Sequence, residues 1–292
     1  MPEEIDRSSI TTDQRSLLSD FTTIPYHVDH FYASKSSRTT WLLPERLHIQ
    51  QTRMLRYFPL YVYRLLKPIE ARSSQETMRE GVFIDGPIIL QPADLMGAAS
   101  TTSLGSEEGA EARGWFKWNA SKNEAEGLAE SLVMIRDLLK SQRFDGVFGF
   151  SQGAGMAGLL SAMLERPESY PPFLIYGQPP HPPFKFCVAV SGFRLNGAIG
   201  DSVFATTYKT PTLHVIGKTD IIVVEERSRK LVDLNESPRV EEHDGGHFVP
   251  SKGNWRKFLA AYLLDPTGDV PSPSAFSSSG TATPVEGLAM KL

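Results

Sequence analysis

Phe144-Asp-Gly-Val-Phe-Gly-Phe-Ser-Gln-Gly-Ala-Gly-Met-Ala-Gly158 is an apolar run that stops at a serine between glycines and resumes in small residues. Val147 to Phe150 has the length and composition of a buried strand, and the small residues after it suit a helix pressed against its neighbours. A serine on a sharp strand-to-helix turn is strained, and a side chain two positions before or after it would collide with backbone. Gly149 and Gly153 remove those side chains. Ser151 would then stand at the carboxyl end of its strand with Oγ free. The N–H groups opening the next helix would lie behind it, where they can stabilise an oxyanion. The stretch reads as a nucleophile elbow; the plainer alternative is a glycine-rich turn that only packs a helix on a strand. Gly155 and Gly158 bear on the choice, because each costs a helix about 1 kcal/mol against alanine and so marks close packing.

Upstream of the elbow, Asn123 to Lys140 carries Leu128, Leu132, Ile135, Leu138 and Leu139 at helical spacing, with Glu124 and Glu126 placed for the positive helix end. This predicts a crossover helix feeding the elbow strand. Val82-Phe-Ile-Asp85, followed by Gly86-Pro87, reads as a buried strand ending in a turn, whereas Phe58 to Leu66 fits either strand or helix. The span from there to Asn119 is loop-like and closes on Trp115, Phe116 and Trp118, a satellite core or the wall of a cleft. Downstream, residues 167–183 are dense in proline and aromatics, either a surface connection or a cap over the site. Strands are expected at Phe184 to Val190, Thr212 to Ile216 and Arg239 to Glu242, with helices at Glu225 to Leu234 and Trp255 to Leu264. Such alternation predicts an α/β fold, a mainly parallel sheet with helices on both faces.

The 292 residues, 40% of them hydrophobic, suffice for one good-sized core with extensions. Three regions are expected: a poorly ordered extension over residues 1–50, the α/β domain over 51–264, and a disordered tail rich in Pro, Ser and Thr over 265–292. A net charge of −4, mixed in sign, offers no surface for nucleic acid or membrane, and no apolar run approaches the length of a membrane span. The single Cys187 allows no intrachain disulfide and, with the acidic start of the chain, suits a cytoplasmic protein. His27 and His30 lie three apart, but no ligand cluster accompanies them, so no metal and no cofactor is expected.

In a parallel sheet, functional groups collect on loops at the carboxyl ends of the strands. Ser151, Asp220 and His247 each follow a different predicted strand, in the chain order of an α/β-hydrolase. A neutral serine hydroxyl is a poor nucleophile and needs a base within reach, for which imidazole has the right proton affinity. His247 would take the Oγ proton and return it to the leaving group, while Asp220 would hold the other ring nitrogen. Glu225, Glu226 and Asp233 belong to the following helix and should face away; His214 lies inside a strand and His243 ends one. His247 is preferred because Gly245-Gly246 lets its loop turn back toward the serine.

Gly149-Phe-Ser-Gln-Gly-Ala-Gly155, Phe184-Lys-Phe186 leading to Ser191-Gly-Phe193, His214-Val-Ile-Gly-Lys-Thr-Asp220 and His243-Asp-Gly-Gly-His-Phe-Val-Pro250 together resemble the fungal serine hydrolase family of small α/β-hydrolases. Asp145-Gly146, Gly86-Pro87 and Pro92-Ala-Asp94 resemble it too, so the likeness runs over about residues 80 to 264. It implies Ser151 as nucleophile, Asp220 as acid and His247 as base, without metal or cofactor. Relatives are esterases or thioesterases, some releasing acyl chains from polyketide synthases; others are fused to dihydrofolate reductase, which nothing here resembles. One departure stands out. Family members begin with a strand ending in Leu-His-Gly, whose following loop supplies the second oxyanion N–H, and no His-Gly pair precedes Ser151 here. The backbone N–H of Gln152 would supply the first donor, and losing the second costs about 2.7 to 4 kcal/mol of transition-state stabilisation.

The first core strand is therefore expected to be atypical or missing, with either Phe58 to Leu66 as its substitute or the amino-terminal half an altered or misassembled version of the family's start. Two functional readings follow. One is a serine hydrolase acting on a small-molecule ester or thioester; the alternative is a catalytically impaired or non-catalytic acyl-binding relative lacking part of the oxyanion hole.

Overall fold

In the computed structural model, which describes residues 60–66, 78–91, 94 and 112–276, the apolar runs become strands whose side chains pack on both faces. β1 (Leu60–Leu66) and β2 (Met78–Ile84) come first. Two short antiparallel pairs follow, β3 (Ile88–Ile89) with β4 (Arg113–Gly114) and β5 (Lys117–Asn119) with β6 (Glu124–Glu126). β7 (Gly146–Phe150), β8 (Phe186–Val190), β9 (Thr212–Gly217) and β10 (Pro238–His243) alternate with helices. These are the crossover helix Leu128–Ser141, the elbow helix Gln152–Glu165, a short helix Gly197–Val203, the helix Glu225–Val232 and the closing helix Gly253–Leu264. None of the described helices is long and apolar enough to cross a membrane.

The six-stranded sheet has the order β10-β9-β8-β7-β1-β2, and β7 to β10 are parallel. Side chains alternate along a strand, so a strand apolar at every position needs cover on both faces. Val147, Cys187 and Ala189 pack with the crossover and elbow helices on one face. Phe148, Phe150, Phe186, Val188 and Leu213 pack on the other against Trp255, Phe258 and Tyr262 of the closing helix. This is the α/β arrangement expected, with helices on both faces.

The doubtful first core strand is present, and it is reversed. β1 lies between β7 and β2 and pairs antiparallel with both, Leu60 opposite Gly149 and Ile84, Tyr63 opposite Gly146 and Gly81. Either strand direction satisfies the backbone ladder. Direction decides, however, which loop reaches which edge. β1 ends beside the amino end of β7, the edge away from Ser151, whereas β2, parallel to β7, ends at the edge of Ser151.

Several boundaries and placements differ from those expected. Glu124 and Glu126 belong to β6, and the crossover helix starts only at Leu128, after Gly127 turns left-handed at φ 84°. The helix Gly197–Val203, too short for a periodic signal, was not anticipated. Order continues beyond Leu264: Val270 and Pro273 are buried, and Phe276 packs on the closing-helix side, because this stretch carries its own apolar residues. Residues 167–183 are not a cap over Ser151. His181 accepts a hydrogen bond from the N–H of Phe144 at 2.9 Å and Phe173 is buried in the core, which places the segment at the amino edge of β7. The expected extension over 1–50, with His27 and His30, and the tail beyond 276 lie outside the described residues.

Candidate active site

Ser151 has the strained backbone expected of an elbow, with φ 53° and ψ −119°. Its N–H still donates to Val190 O of β8 at 2.9 Å, which anchors the turn to the sheet. A Cβ on Gly149 would lie 2.1 Å from the carbonyl oxygen of Gly153, so the glycine is required by close backbone approach. In the elbow helix, a Cβ on Gly155 would lie 2.4 Å from Leu195 Cδ1, so the packing that this glycine permits is against the loop following β8.

The three residues singled out from sequence are brought together. His247 Nε2 lies 2.9 Å from Ser151 Oγ, and His247 Nδ1 lies 2.8 Å from Asp220 Oδ2. With Nδ1 protonated, that nitrogen donates to the carboxylate and Nε2 accepts from the serine hydroxyl. The N–H groups of Ile222 and Val223 donate to Asp220 Oδ1, each at 2.9 Å. Burial alone would raise this carboxyl; the hydrogen bonds from His247 and the Val223 N–H, with the nearby imidazole and the Ser191 hydroxyl, outweigh it and hold Asp220 below the usual carboxylate range. The imidazole rests on the Phe150 ring, centroids 4.8 Å apart.

The loop carrying His247 is fastened to the loop carrying Asp220. Lys218 N–H donates to His243 O at 2.9 Å, and Thr219 N–H donates to Gly245 O at 3.1 Å. The role expected for Gly245-Gly246 needs correcting: neither has a positive φ, so conformational freedom is not what they supply. Gly245 supplies space, since a Cβ there would lie 2.1 Å from the Phe248 ring and 2.9 Å from His243 Nδ1, whereas one on Gly246 would come no nearer than 3.3 Å to Thr219 O. His214 is buried in β9 and pushed down to about 3 by desolvation, with Nε2 unpartnered among the described residues, which sets it apart as a neutral core residue. His243 is buried as well, its ring edge-on to Trp255 and beside Phe248.

Gln152 opens the elbow helix, so its backbone N–H lies ahead of the intrahelical ladder and faces the turn at the serine. Its side chain does something sequence reasoning missed. Oε1 accepts from Trp115 N–H at 2.6 Å and Nε2 donates to Phe116 O at 3.0 Å, tying the β4–β5 segment to the residue after Ser151. Ser131 Oγ holds the same segment by donating to Trp115 O at 2.6 Å. Trp115 and Phe116 are core residues, while Trp118 is 46% exposed, so the aromatic cluster is split and does not form one cleft wall. The only sequence signal was an amide next to the serine and aromatics without a partner. Among the described residues, no group of three or more His, Cys, Asp or Glu is placed to hold a metal ion.

Comparison with known proteins matches residues 68–259 to the family described as Serine hydrolase (FSH1). A protein of Schizosaccharomyces pombe named dihydrofolate reductase is 33% identical over 192 residues, covering 62% of this chain and 40% of that protein. Esterase AAEL000016 of Aedes aegypti is 29% identical over 64% of each chain, and Esterase OVCA2 of Danio rerio is 32% identical over 56% of this chain and 72% of its own. The chain thus spans less than two thirds of the first two relatives. Among solved structures, Zea mays acyl-protein thioesterase 2 is similar at 20% identity and a TM-score of 0.37, over 52% of this chain and 74% of that one. With residues 68–259 matched, the chain belongs to the serine hydrolase (FSH1) family.

Proposed function

We propose that this protein hydrolyses a small-molecule carboxylic ester or thioester through an acyl-serine intermediate. The observation that carries the reading is the hydrogen-bonded chain from Ser151 Oγ through both nitrogens of His247 to Asp220, 2.9 and 2.8 Å long. Family membership and relatives named esterases support it. His247 Nε2 takes the hydroxyl proton as Oγ attacks the acyl carbon, and the bond to the leaving alcohol or thiol breaks as the imidazolium returns that proton to it. Water then gives a proton to the imidazole and attacks the acyl-serine, releasing a carboxylic acid and restoring the hydroxyl. Asp220, held ionised, stabilises the imidazolium in both halves. The Gln152 N–H is the first donor to the tetrahedral oxyanion. The scheme uses no metal or cofactor, and the composition of the chain supports a cytoplasmic setting.

A second reading, an acyl-binding relative with impaired or no turnover, is favoured by the reversal of β1. A fluorophosphonate probe separates the two. Labelling at Ser151, together with ester hydrolysis lost in Ser151→Ala, supports the enzyme; a folded protein that binds an acyl ester but is neither labelled nor active supports the alternative.

A further inference from the structure

Arg227 stands exposed in the first turn of the helix Glu225–Val232, which follows the loop carrying Asp220. Its guanidinium lies over the Phe193 ring, 4.6 Å from the centroid, and Nη1 donates to Ile222 O at 3.2 Å. Both contacts tie it to the carboxyl edge of the sheet. Phe193 follows the end of β8, the strand between β7 and β9. Ile222 is also the residue whose N–H donates to Asp220 Oδ1 at 2.9 Å, so it joins the acid on one side to the guanidinium on the other.

The guanidinium is held in place but not neutralised. Asp220 Oδ1 accepts from the N–H groups of Ile222 and Val223, Oδ2 meets His247, and Glu225 pairs with Arg229 at 2.9 Å. Among the described residues Arg227 has no ion pair, and it stands at the positive end of its helix, the costlier end for a cation. The ring beneath and the single hydrogen bond through Nη1 leave the Nε–Nη2 edge of the planar fork free among the described residues. That edge is the one through which carboxylates and phosphates accept two parallel hydrogen bonds.

The surface next to it is apolar. Ile221 follows Asp220, Val224 closes the same loop and Phe248 follows His247, and all three are exposed. Apolar surface with a few fixed polar groups is what orients a small ligand. Here the apolar side chains suit the body of a substrate, and the pre-positioned, unpaired cation beside them suits an anionic end.

We propose that Arg227 is a specificity-determining residue: its guanidinium, mounted between the loops after β8 and β9, binds a carboxylate or phosphate carried by the ester or thioester that Ser151 attacks. The proposal rests on the hydrolase reading of the same site. Two matched pairs of substrates test it, mono-p-nitrophenyl adipate against p-nitrophenyl hexanoate, and butyryl-coenzyme A against butyryl-N-acetylcysteamine. The first pair places a carboxylate on the acyl side, the second places phosphates on the leaving side. In the unmodified protein an anionic member should exceed its neutral partner about tenfold in kcat/KM, the low end of what hydrogen bonds to a charged group are worth. The pair that shows the preference identifies the source of the anion. Arg227→Gln should bring that ratio to within about twofold of one, and Arg227→Lys, a point charge without the fork, should keep part of it. No preference in either pair, a preference that survives in Arg227→Gln, or an equal loss for both members of a pair overturns the proposal. In a chain that hydrolyses none of these substrates, which defeats the hydrolase reading, binding decides alone. Adipate or coenzyme A should then raise the melting temperature of the unmodified protein and not of Arg227→Gln, and the lack of any such difference overturns the anion site.

Discussion

Two halves of one sheet meet at β7, one wholly parallel and the other containing a single inverted strand. In the β7 to β10 half, every strand points the same way, and each of the three candidate side chains, Ser151, Asp220 and His247, sits beyond a strand end at the shared carboxyl edge. In the β1 to β2 half, β1 beside β7 is inverted and ends at the far edge, while β2 runs with β7 and ends at the edge of Ser151. The ladder hydrogen bonds are satisfied in both halves. Pairing alone therefore preserves the sheet, while direction determines whether a strand also contributes to the site.

The comparison can be broken most directly at the parallel half. Ser151→Ala or His247→Ala should reduce ester hydrolysis by about 10⁴-fold or more, as expected for members of a unit that acts together. Steady-state rates on a chromogenic ester measure this, and residual activity above a few per cent would detach the chemistry from these strand ends. The antiparallel half is tested at Val62, which pairs with both Val147 and Val82. Val62→Pro should cost about 3 kcal/mol or more, because proline removes a ladder donor in the middle of a sheet. An unchanged denaturant midpoint would make β1 dispensable.

Between the halves, Gln152→Leu removes both hydrogen bonds to the Trp115–Phe116 backbone. It should destabilise the protein by about 1–3 kcal/mol while leaving the Gln152 N–H in place. The acid at the parallel edge gives a pH test. Asp220 is held below its ordinary value of 3.8, so its contribution to stability is fully present above the unfolded value of about 3.9 and is lost as pH falls through the lower folded value. Melting temperature should fall more steeply below about pH 4 in the unmodified protein than in Asp220→Asn. The smallest effect concerns Cys187, buried in β8 and pushed up to about 12 by desolvation. The native protein should resist iodoacetamide that modifies it readily once unfolded; native alkylation at the unfolded rate would show that this half opens easily.

Much of the parallel half was legible because its signals are local. Val147-Phe-Gly-Phe150 announces a strand, Gly149 and Gly153 announce the turn, and Asp220 and His247 each follow an apolar run within a few residues. The reasons behind some of these were less legible. Gly245 and Gly246 read as a hinge in sequence, yet neither has a positive φ and only Gly245 is closely approached, since whether a glycine serves φ or clearance depends on which atoms come near it. The proline-rich stretch 167–183 looked like a cap because nothing in its composition says which edge of the sheet it covers. Its position is dictated by the elbow helix, which runs away from Ser151 and ends at the amino edge.

By itself the sequence determined which segments become strands, where the elbow falls, and the order in which serine, acid and base follow their strands. All of these are written in neighbours a few residues apart. Only the tertiary structure decided the direction of β1 and the clamp from Gln152 to the Trp115–Phe116 backbone. The physical reason is common to them. A period-two pattern reads the same in either direction, backbone donors and acceptors pair either way, and a polar side chain gains its partner only when distant strands meet.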